Sequence, residues 1–534
     1  MSEALWWQTG VIYQIYPRSF ADASGDGVGD LAGIEARLDY VVQLGVDAIW
    51  LSPIFPSPMA DFGYDIADYV GIDPVFGTLD DLDRLVAAAH SRGLKLLLDL
   101  VPNHTSDEHP WFVESRRGRD SPRRDWYLWR DARSDGGPPN NWPSFFGGPA
   151  WEQDAATGQY YLHLFHRKQP DLNWRNPEVR AAIYDVMRFW LDRGVDGFRL
   201  DAYWVLFKDP DYPDEAPPRP LGEGELPVGR YDHPAYEDRA EMQEVVREMR
   251  AVTDAFADRV LVGELYLPLA RLMTYYGEQL EGLHLPFNFS LVTMRRWDAA
   301  SVRAVVEAYE AALPPGAWPN WVLGNHDMPR VATRAAVAGA GPAGGRLAHM
   351  LLLTLRGTPT CFYADELGLP NGDIPPDRVV DPQAATGRTR DVSRTPMPWD
   401  DGPNAGFCPA GVEPWLPIAV PPEGSVARQV GEARSSLALT RALLALRRNS
   451  VALRLGTIEL LDPAEPDVVA YVRRAGAETT LIALNFGGRD LRLDASSAGD
   501  RGTVRCTTAL DRDGPVDVAA LTLRPYEGVV VTVD

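Results

Sequence analysis

Cysteine is scarce. Cys361, Cys408 and Cys506 are the only three in 534 residues, odd in number and far apart, which excludes a disulfide framework and a cysteine-based metal site. Lysine is scarcer still for the length, at Lys95, Lys168 and Lys208, so arginine carries the positive charge and the net charge is −23. That balance argues against nucleic acid or an anionic membrane as partner. No apolar run is long enough to span a bilayer. The opening MSEALWWQTG has no basic stretch leading into an apolar one, so neither leader nor anchor is expected and the expected location is cytoplasmic. Low-complexity tracts and blocks of like charge are also missing, which excludes a long disordered tail. What remains is a globular chain too long for one small core, and a large domain with smaller additions is expected.

Eight short apolar runs read as strands: GVIYQIYP (10–17), VDAIWLSP (46–53), LKLLLDLVPNH (94–104), GVDGFRLDA (194–202), RVLVGELY (259–266), GLHLPFNFS (282–290), NWVLGNHD (320–327) and PTCFYADELG (359–368). Amphipathic helical stretches lie between most of them. The spacing predicts helices over 31–45, over 78–93 with Thr78 as N-cap, and over 176–194 with Asn176 as N-cap and Pro177 at the first position. Eightfold alternation of strand and helix is the pattern of a (β/α)8 TIM barrel, an α/β fold. No glycine-rich phosphate loop follows the first strand, which weakens a dinucleotide-binding alternative. The barrel is expected over 1–104 and 175–449. An inserted subdomain is expected over 105–174, rich in Trp, Pro, Gly and Asn, and 203–236 reads as a Pro- and acid-rich loop over the top face. From 450 to 534 the runs are strand-length without helices between them, which predicts a C-terminal all-β domain, a sandwich.

Barrel active sites lie at the C-terminal ends of the strands. Asp201 ends the fourth strand, Glu264 the fifth and Asp327 the seventh, with His104, Arg199, Asn325 and His326 beside them. Arg199 and Asp201 are one strand period apart, so both face the barrel mouth. For one acid, a helix cap or satisfied ion pair is as good a reading as catalysis; for three together it is a poorer one. Glycoside hydrolysis uses two carboxyl groups flanking one bond. Asp201, kept ionised by Arg199, suits the nucleophile, Glu264 the general acid/base, and Asp327 a grip on substrate hydroxyls. The two histidines suit hydrogen bonds to a sugar better than zinc, for which no ligand set is defined.

These residues sit in motifs that resemble the ordered regions of the alpha-amylase family of glycoside hydrolases: DLVPNH (99–104), GFRLDA (197–202), GELY (263–266) and GNHD (324–327). QPDLNW (169–174) and SRTPMPWD (393–400) resemble the oligo-1,6-glucosidase and alpha-glucosidase branch, and the likeness is closest to bacterial alpha-glucosidases. It implies Asp201 as nucleophile, Glu264 as acid/base and Asp327 as transition-state stabiliser. It further implies Tyr64, His104, Arg199 and His326 around the terminal sugar, Asp61 with Arg390 (rather than Arg394) gripping its far end, and Phe146 and Phe165 as pocket aromatics, where plain core packing is the rival reading. A closed grip on the last sugar implies exo action on small oligosaccharides. Ala202 after the nucleophile leans toward α-1,4 bonds, since valine there resembles α-1,6 enzymes. Transglycosylating or isomerising relatives, of the trehalose synthase or sucrose isomerase type, share the same intermediate and stay open as alternatives. A non-enzymatic member of the family is set aside because all three acids are kept.

One motif lies apart. DASGDGVGDL (22–31) spaces Asp22, Ser24, Asp26 and Asp30 at alternate or near-alternate positions between glycines, a pattern similar to an oxygen-ligand loop for Ca2+ or Mg2+. Family relatives add a backbone carbonyl, here that of Val28. The rival reading is a turn with a helix cap at Asp30. The cation would be structural, and no cofactor is expected for catalysis. The expected partners are small oligosaccharide substrates, with no nucleic acid and no membrane.

Overall fold

A computed structural model of the protein describes residues 4–217, 219, 220, 233–294 and 296–534. Eight parallel strands make the central sheet: β1 (Ile12–Ile15), β2 (Ala48–Leu51), β3 (Lys95–Leu100), β4 (Gly197–Leu200), β5 (Val260–Gly263), β6 (Leu285–Pro286), β7 (Asn320–Val322) and β8 (Thr358–Phe362). They pair in the order β7-β8-β1-β2-β3-β4-β5-β6, one strand from each predicted run. The seam between β6 and β7 has no backbone ladder and is bridged by a side chain. Asn320 donates through Nδ2 to the Pro286 carbonyl and accepts at Oδ1 from the Asn288 N–H at 3.1 Å. β6 is only two residues long, so this one amide stands where a longer strand would have paired.

The strands shrink to the hearts of the predicted runs because their C-terminal residues turn outward to build the top face. The predicted helix over 78–93 runs Leu79–Ser91, and its capping box is complete: Thr78 Oγ1 accepts from the Asp81 N–H at 3.2 Å and Asp81 Oδ2 from the Thr78 N–H at 2.7 Å. The helix Pro177–Asp192 is capped by Asn176 Oδ1 on the Glu178 N–H at 2.9 Å. The third predicted helix is split into Leu31–Ala36 and Leu38–Leu44 at Arg37, which leaves helical geometry while its guanidinium lies over the Trp399 ring.

After β3 the chain forms a small antiparallel sheet, with Gln159–Leu162 between Trp129–Asp131 and Trp151–Gln153. It leans on the barrel mouth through backbone bridges His104–Asp171 and Tyr127–Leu172. Of the predicted acid-rich loop over 203–236, residues 218 and 221–232 lie outside the described residues.

The C-terminal part is a six-stranded antiparallel sheet with a two-stranded sheet, Leu491–Leu493 with Leu521–Leu523, against one face. Period-two alternation divides its core. Val468, Ala470, Val472, Leu481 and Ala483 pack toward the small sheet, while Val469, Tyr471, Ile482 and Leu484 join the barrel's core. One helix intrudes where only strands were expected: Val451–Leu455, started by Ser450 Oγ on the Leu453 N–H at 3.1 Å. Among the described residues no helix is long and apolar enough to cross a membrane.

Candidate active site

The charged pair inside β4 finds its partners across the barrel mouth. β4 opens on Gly197 at φ 150, where a Cβ would stand 2.1 Å from the Val260 carbonyl oxygen, so only glycine lets β4 and β5 come this close. Two residues on, Arg199 is level with Asp99 of β3 in the parallel register. Its Nη1 lies 2.8 Å from Asp99 Oδ1 and 2.6 Å from Asp201 Oδ1, and its Nη2 lies 2.8 Å from Glu264 Oε1. One guanidinium, 1% exposed, therefore holds three carboxyl groups, with Asp201 and Glu264 on its two terminal nitrogens. A buried arginine without such partners would be strongly destabilising. Glu264 is fixed a second time, by the Ala202 N–H at 2.8 Å on Oε2. Ala202 sits at φ 44, a left-handed position rarely taken by a non-glycine residue.

Asp327 faces this trio from the end of β7. Its Oδ1 lies 3.2 Å from Arg390 Nη1 and 3.0 Å from Arg394 Nη2, and its Oδ2 3.2 Å from His326 Nε2. His326 is sandwiched between Tyr64 and Tyr16, with ring centroids 5.2 and 5.6 Å away and near-parallel planes. The Tyr64 hydroxyl touches His326 Nε2 at 2.7 Å and donates to Asp99 at 3.0 Å, which ties the Asp327 group to the Arg199 group. Arg390 also reaches Asp61 Oδ1 at 2.6 Å and Asp381 Oδ1 at 2.7 Å, and its guanidinium lies 5.1 Å from the Phe146 ring. Arg394 does not touch Asp61; it donates to the His326 carbonyl. Gln169 Nε2 lies 3.3 Å from Asp61 and 3.0 Å from His104 Nε2, and Phe165 packs on His104 at 5.1 Å.

The network thus joins Asp61, Tyr64, His104, Phe146, Phe165, Arg199, Asp201, Glu264, His326, Asp327 and Arg390 in one continuous set of contacts. Sequence reading missed Asp99, Gln14 and Asp381 as members. Asp99 heads a quoted motif and shares a sheet face with Arg199, so strand pairing was the available signal. Gln14 was a polar residue inside the apolar run VIYQIYP; it meets His326 Nδ1 at 2.8 Å. Asp381 sits in a loop with no periodicity to read.

Charge explains the protonation pattern. Asp61, Asp99, Asp201, Glu264, Asp327 and Asp381 face only three guanidiniums, those of Arg199, Arg390 and Arg394. Burial leaves both histidines neutral, His104 pushed down to about 3 and His326 well below its usual value despite Asp327. Burial raises Glu264 to about 7 against the pull of Arg199, with Asp327 adding to the rise. Burial raises Asp99 to about 6 and lifts Asp201 well above its usual range, Arg199 opposing and Glu264 adding. Asp327 goes the other way: its burial is outweighed by the His326 ring, whose Nε2 lies 3.2 Å from Oδ2, and by the Arg390 and Arg394 charges, which hold it below the usual carboxylate range. The carboxyls on Arg199 are thus held above their usual range and Asp327 below it.

The 22–30 loop lies apart, tied to the 407–415 segment by Asp22 N–H to the Phe407 carbonyl and Trp415 N–H to the Gly27 carbonyl. Asp30 caps the helix Leu31–Ala36, accepting from the Gly33 N–H at 2.6 Å, and Asp22 accepts from the Gly25 and Gly27 N–H groups. Asp26 is exposed and accepts from the Val28 N–H. Among the described residues no three His, Cys, Asp or Glu side chains converge as a metal-binding set. A cation here would draw on the lone pairs these carboxylates have left, with Ser24 and the Val28 carbonyl, an all-oxygen set of the kind Ca2+ and Mg2+ accept.

The model of the alpha-amylase catalytic domain matches residues 14–456. A probable alpha-glucosidase of Rhizobium meliloti (strain 1021) is 42% identical over 498 residues, covering 90% of this chain and 89% of the relative. An oligo-1,6-glucosidase of Heyndrickxia coagulans is 38% identical over 526 residues, covering 92% and 93%. The crystal structure of the alpha-glucosyl transfer enzyme XgtA superposes with a TM-score of 0.92 at 42% identity, covering 100% of both chains. The fold, the motifs in order and these relatives agree: the chain belongs to the alpha-amylase family of glycoside hydrolases.

Proposed function

We propose that the protein is a retaining, exo-acting alpha-glucosidase that frees glucose from the non-reducing end of short α-glucosides, with a lean to α-1,4 bonds. The observation that carries this reading is the shared grip of Arg199 on Asp201 and Glu264, with Asp327 held opposite by an arginine that also contacts Asp61. Asp201 attacks the anomeric carbon while Glu264 gives its proton to the leaving oxygen, and the glycosidic C–O bond breaks. The product is a β-glucosyl ester on Asp201 and a free alcohol. Water then attacks the same carbon, Glu264 takes its proton, the ester C–O bond breaks, and glucose leaves in the α configuration. Glu264 and Asp201 depend on each other: burial raises Asp201, Arg199 opposes the rise and Glu264 adds to it, so a proton on Glu264 removes that added part and favours the Asp201 carboxylate beside Arg199. Asp327, anionic throughout, stabilises the oxocarbenium-like charge. His104 and His326, neutral, donate to sugar hydroxyls. Asp61 and Arg390, with Phe146 and Phe165 beside them, close the pocket behind the terminal sugar, which makes the action exo.

Ala202 supports the α-1,4 lean. Valine at this position resembles α-1,6 enzymes, and the smaller alanine resembles those taking α-1,4 bonds. Transfer of the glucosyl group to a second sugar, or isomerisation, is the second reading; the close fit to a glucosyl-transfer enzyme favours keeping it. Proton NMR on an aryl α-glucoside, whose only glucose is the one released at the cleaved bond, tests the main reading. α-Glucose is expected to appear first and the β-anomer only by mutarotation; β first overturns it. Initial rates on maltose, isomaltose, trehalose, sucrose and maltotriose, with products quantified, separate hydrolysis from transfer and are expected to favour maltose over isomaltose.

The three cysteines are free and buried, which fits a reducing, cytoplasmic location. The loop at 22–30 is proposed as a structural cation site through Asp22, Ser24, Asp26, Asp30 and the Val28 carbonyl. Chelation is then expected to lower Tm by about 2 °C or more and calcium to restore it. An unchanged Tm after complete removal of divalent ions leaves the loop as a turn and cap.

A further inference from the structure

Lys208 is a buried cation that no step above uses. It lies on the chain after β4. Its Nζ is 2.6 Å from Asp171 Oδ2 in the QPDLNW segment and 2.8 Å from Asn103 Oδ1 after β3. An ammonium only donates, so the Asn103 amide must turn its oxygen to Lys208 and its NH2 the other way. That NH2 meets His104 Nδ1 at 3.2 Å. The Asp171 carboxyl on the other side of Lys208 is raised by burial and drawn back by the Lys208 charge. A nitrogen that accepts from Asn103 carries no proton, and a neutral imidazole has only one to place.

We infer that Lys208 is a positioning residue: through Asn103 it locks His104 as the tautomer protonated on Nε2, the nitrogen on the Asp61 side of the pocket. Nε2–H then donates to the Tyr64 carbonyl at 3.1 Å, a proton that a sugar oxygen would share as second acceptor. A competing contact pulls the other way. The Gln169 NH2, 3.0 Å from Nε2, would be better served by a bare nitrogen, and its orientation is fixed because Gln169 Oε1 accepts from the His166 N–H at 2.8 Å. Two amides therefore contend for one imidazole, and the ion pair behind Asn103 decides between them. Without Lys208 the Asn103 amide is free to flip, and His104 can present an acceptor where the pocket needs a donor.

The inference rests on the glucosidase reading only for what the Nε2–H meets, and its test is independent of turnover. In the unliganded enzyme with 15N-labelled histidine, the signal lost in His104→Gln is expected to show the Nε2–H tautomer. A Nδ1–H tautomer in the wild type overturns the inference without any further variant. Lys208→Arg, still donor-only, is expected to keep the tautomer. Asn103→Asp, with only acceptors to offer, is expected to convert His104 to Nδ1–H and to lower kcat/KM on maltose about 10- to 100-fold. An Asn103→Asp protein that folds and keeps the Nε2–H signal overturns it. Should the enzyme prove to have another substrate, the tautomer result stands and only the sugar contact falls.

Discussion

Asp201→Ala lowers kcat on maltose by about 10⁴-fold or more while the protein keeps its fold. On the proposed mechanism the chemistry loses its nucleophile, and the neighbouring acids are held elsewhere, Glu264 on the other terminal nitrogen of Arg199 and Asp327 by two arginines. Stability should survive for an electrostatic reason. Arg199 is not orphaned, since Asp99 and Glu264 remain at 2.8 Å each. The deletion also removes one of three carboxyls crowded on a single cation, so Tm is expected to hold or rise slightly. Steady-state rates and a thermal melt check both halves. Activity within tenfold of wild type removes Asp201 from the mechanism, and a collapsed melt shows that its role is structural.

That outcome contrasts with what removing Arg199 would do, and the contrast shows how the site is built. Arg199 is the hub on which Asp99, Asp201 and Glu264 depend. Asp327 has a separate hub in Arg390 and Arg394. Tyr64 and His326 join the two through neutral hydrogen bonds. Acids raised by burial therefore gather on Arg199, and an acid held below the usual carboxylate range lies on Arg390 and Arg394. This is the asymmetry that acid–base chemistry with a covalent intermediate requires.

The barrel was legible because each strand and helix carried its own punctuation. Thr78 with Asp81, and Asn176 with Pro177, mark helix starts that tertiary packing had no reason to override. The strand-end acids were legible because a parallel barrel sends those residues to one face. The split at Arg37 was not, since the apolar spacing runs through it unbroken and the break belongs to a contact with Trp399, distant in sequence. Asp381 was equally hidden. It grips Arg390 by backbone and side chain from a loop whose course no local pattern sets. The 22–30 loop looked like a ligand set because its acids alternate, yet the same spacing lets Asp22 and Asp30 bind the loop's own amides. Spacing alone does not distinguish the two uses.

Glu264→Gln separates the two halves of the catalytic cycle. The amide keeps the hydrogen-bonding shape toward Arg199 and Ala202 in part but has no proton to transfer. On maltose, whose leaving alcohol needs protonation, kcat/KM is expected to fall about 10³- to 10⁴-fold. On an aryl α-glucoside with an acidic phenol the bond breaks without that proton, so kcat/KM should fall far less, and hydrolysis of the ester becomes rate-limiting. The pH profile gives an independent sign. In the wild type the acid must be protonated for the first step, so kcat/KM on maltose is expected to decline as pH rises through about 7, where burial has placed Glu264. That basic limb should vanish in Glu264→Gln, because the group that loses the proton is gone. A variant that loses equal activity on both substrates, or that keeps the limb near pH 7, assigns the titration to Asp99 or Asp201 and takes the acid/base role from Glu264.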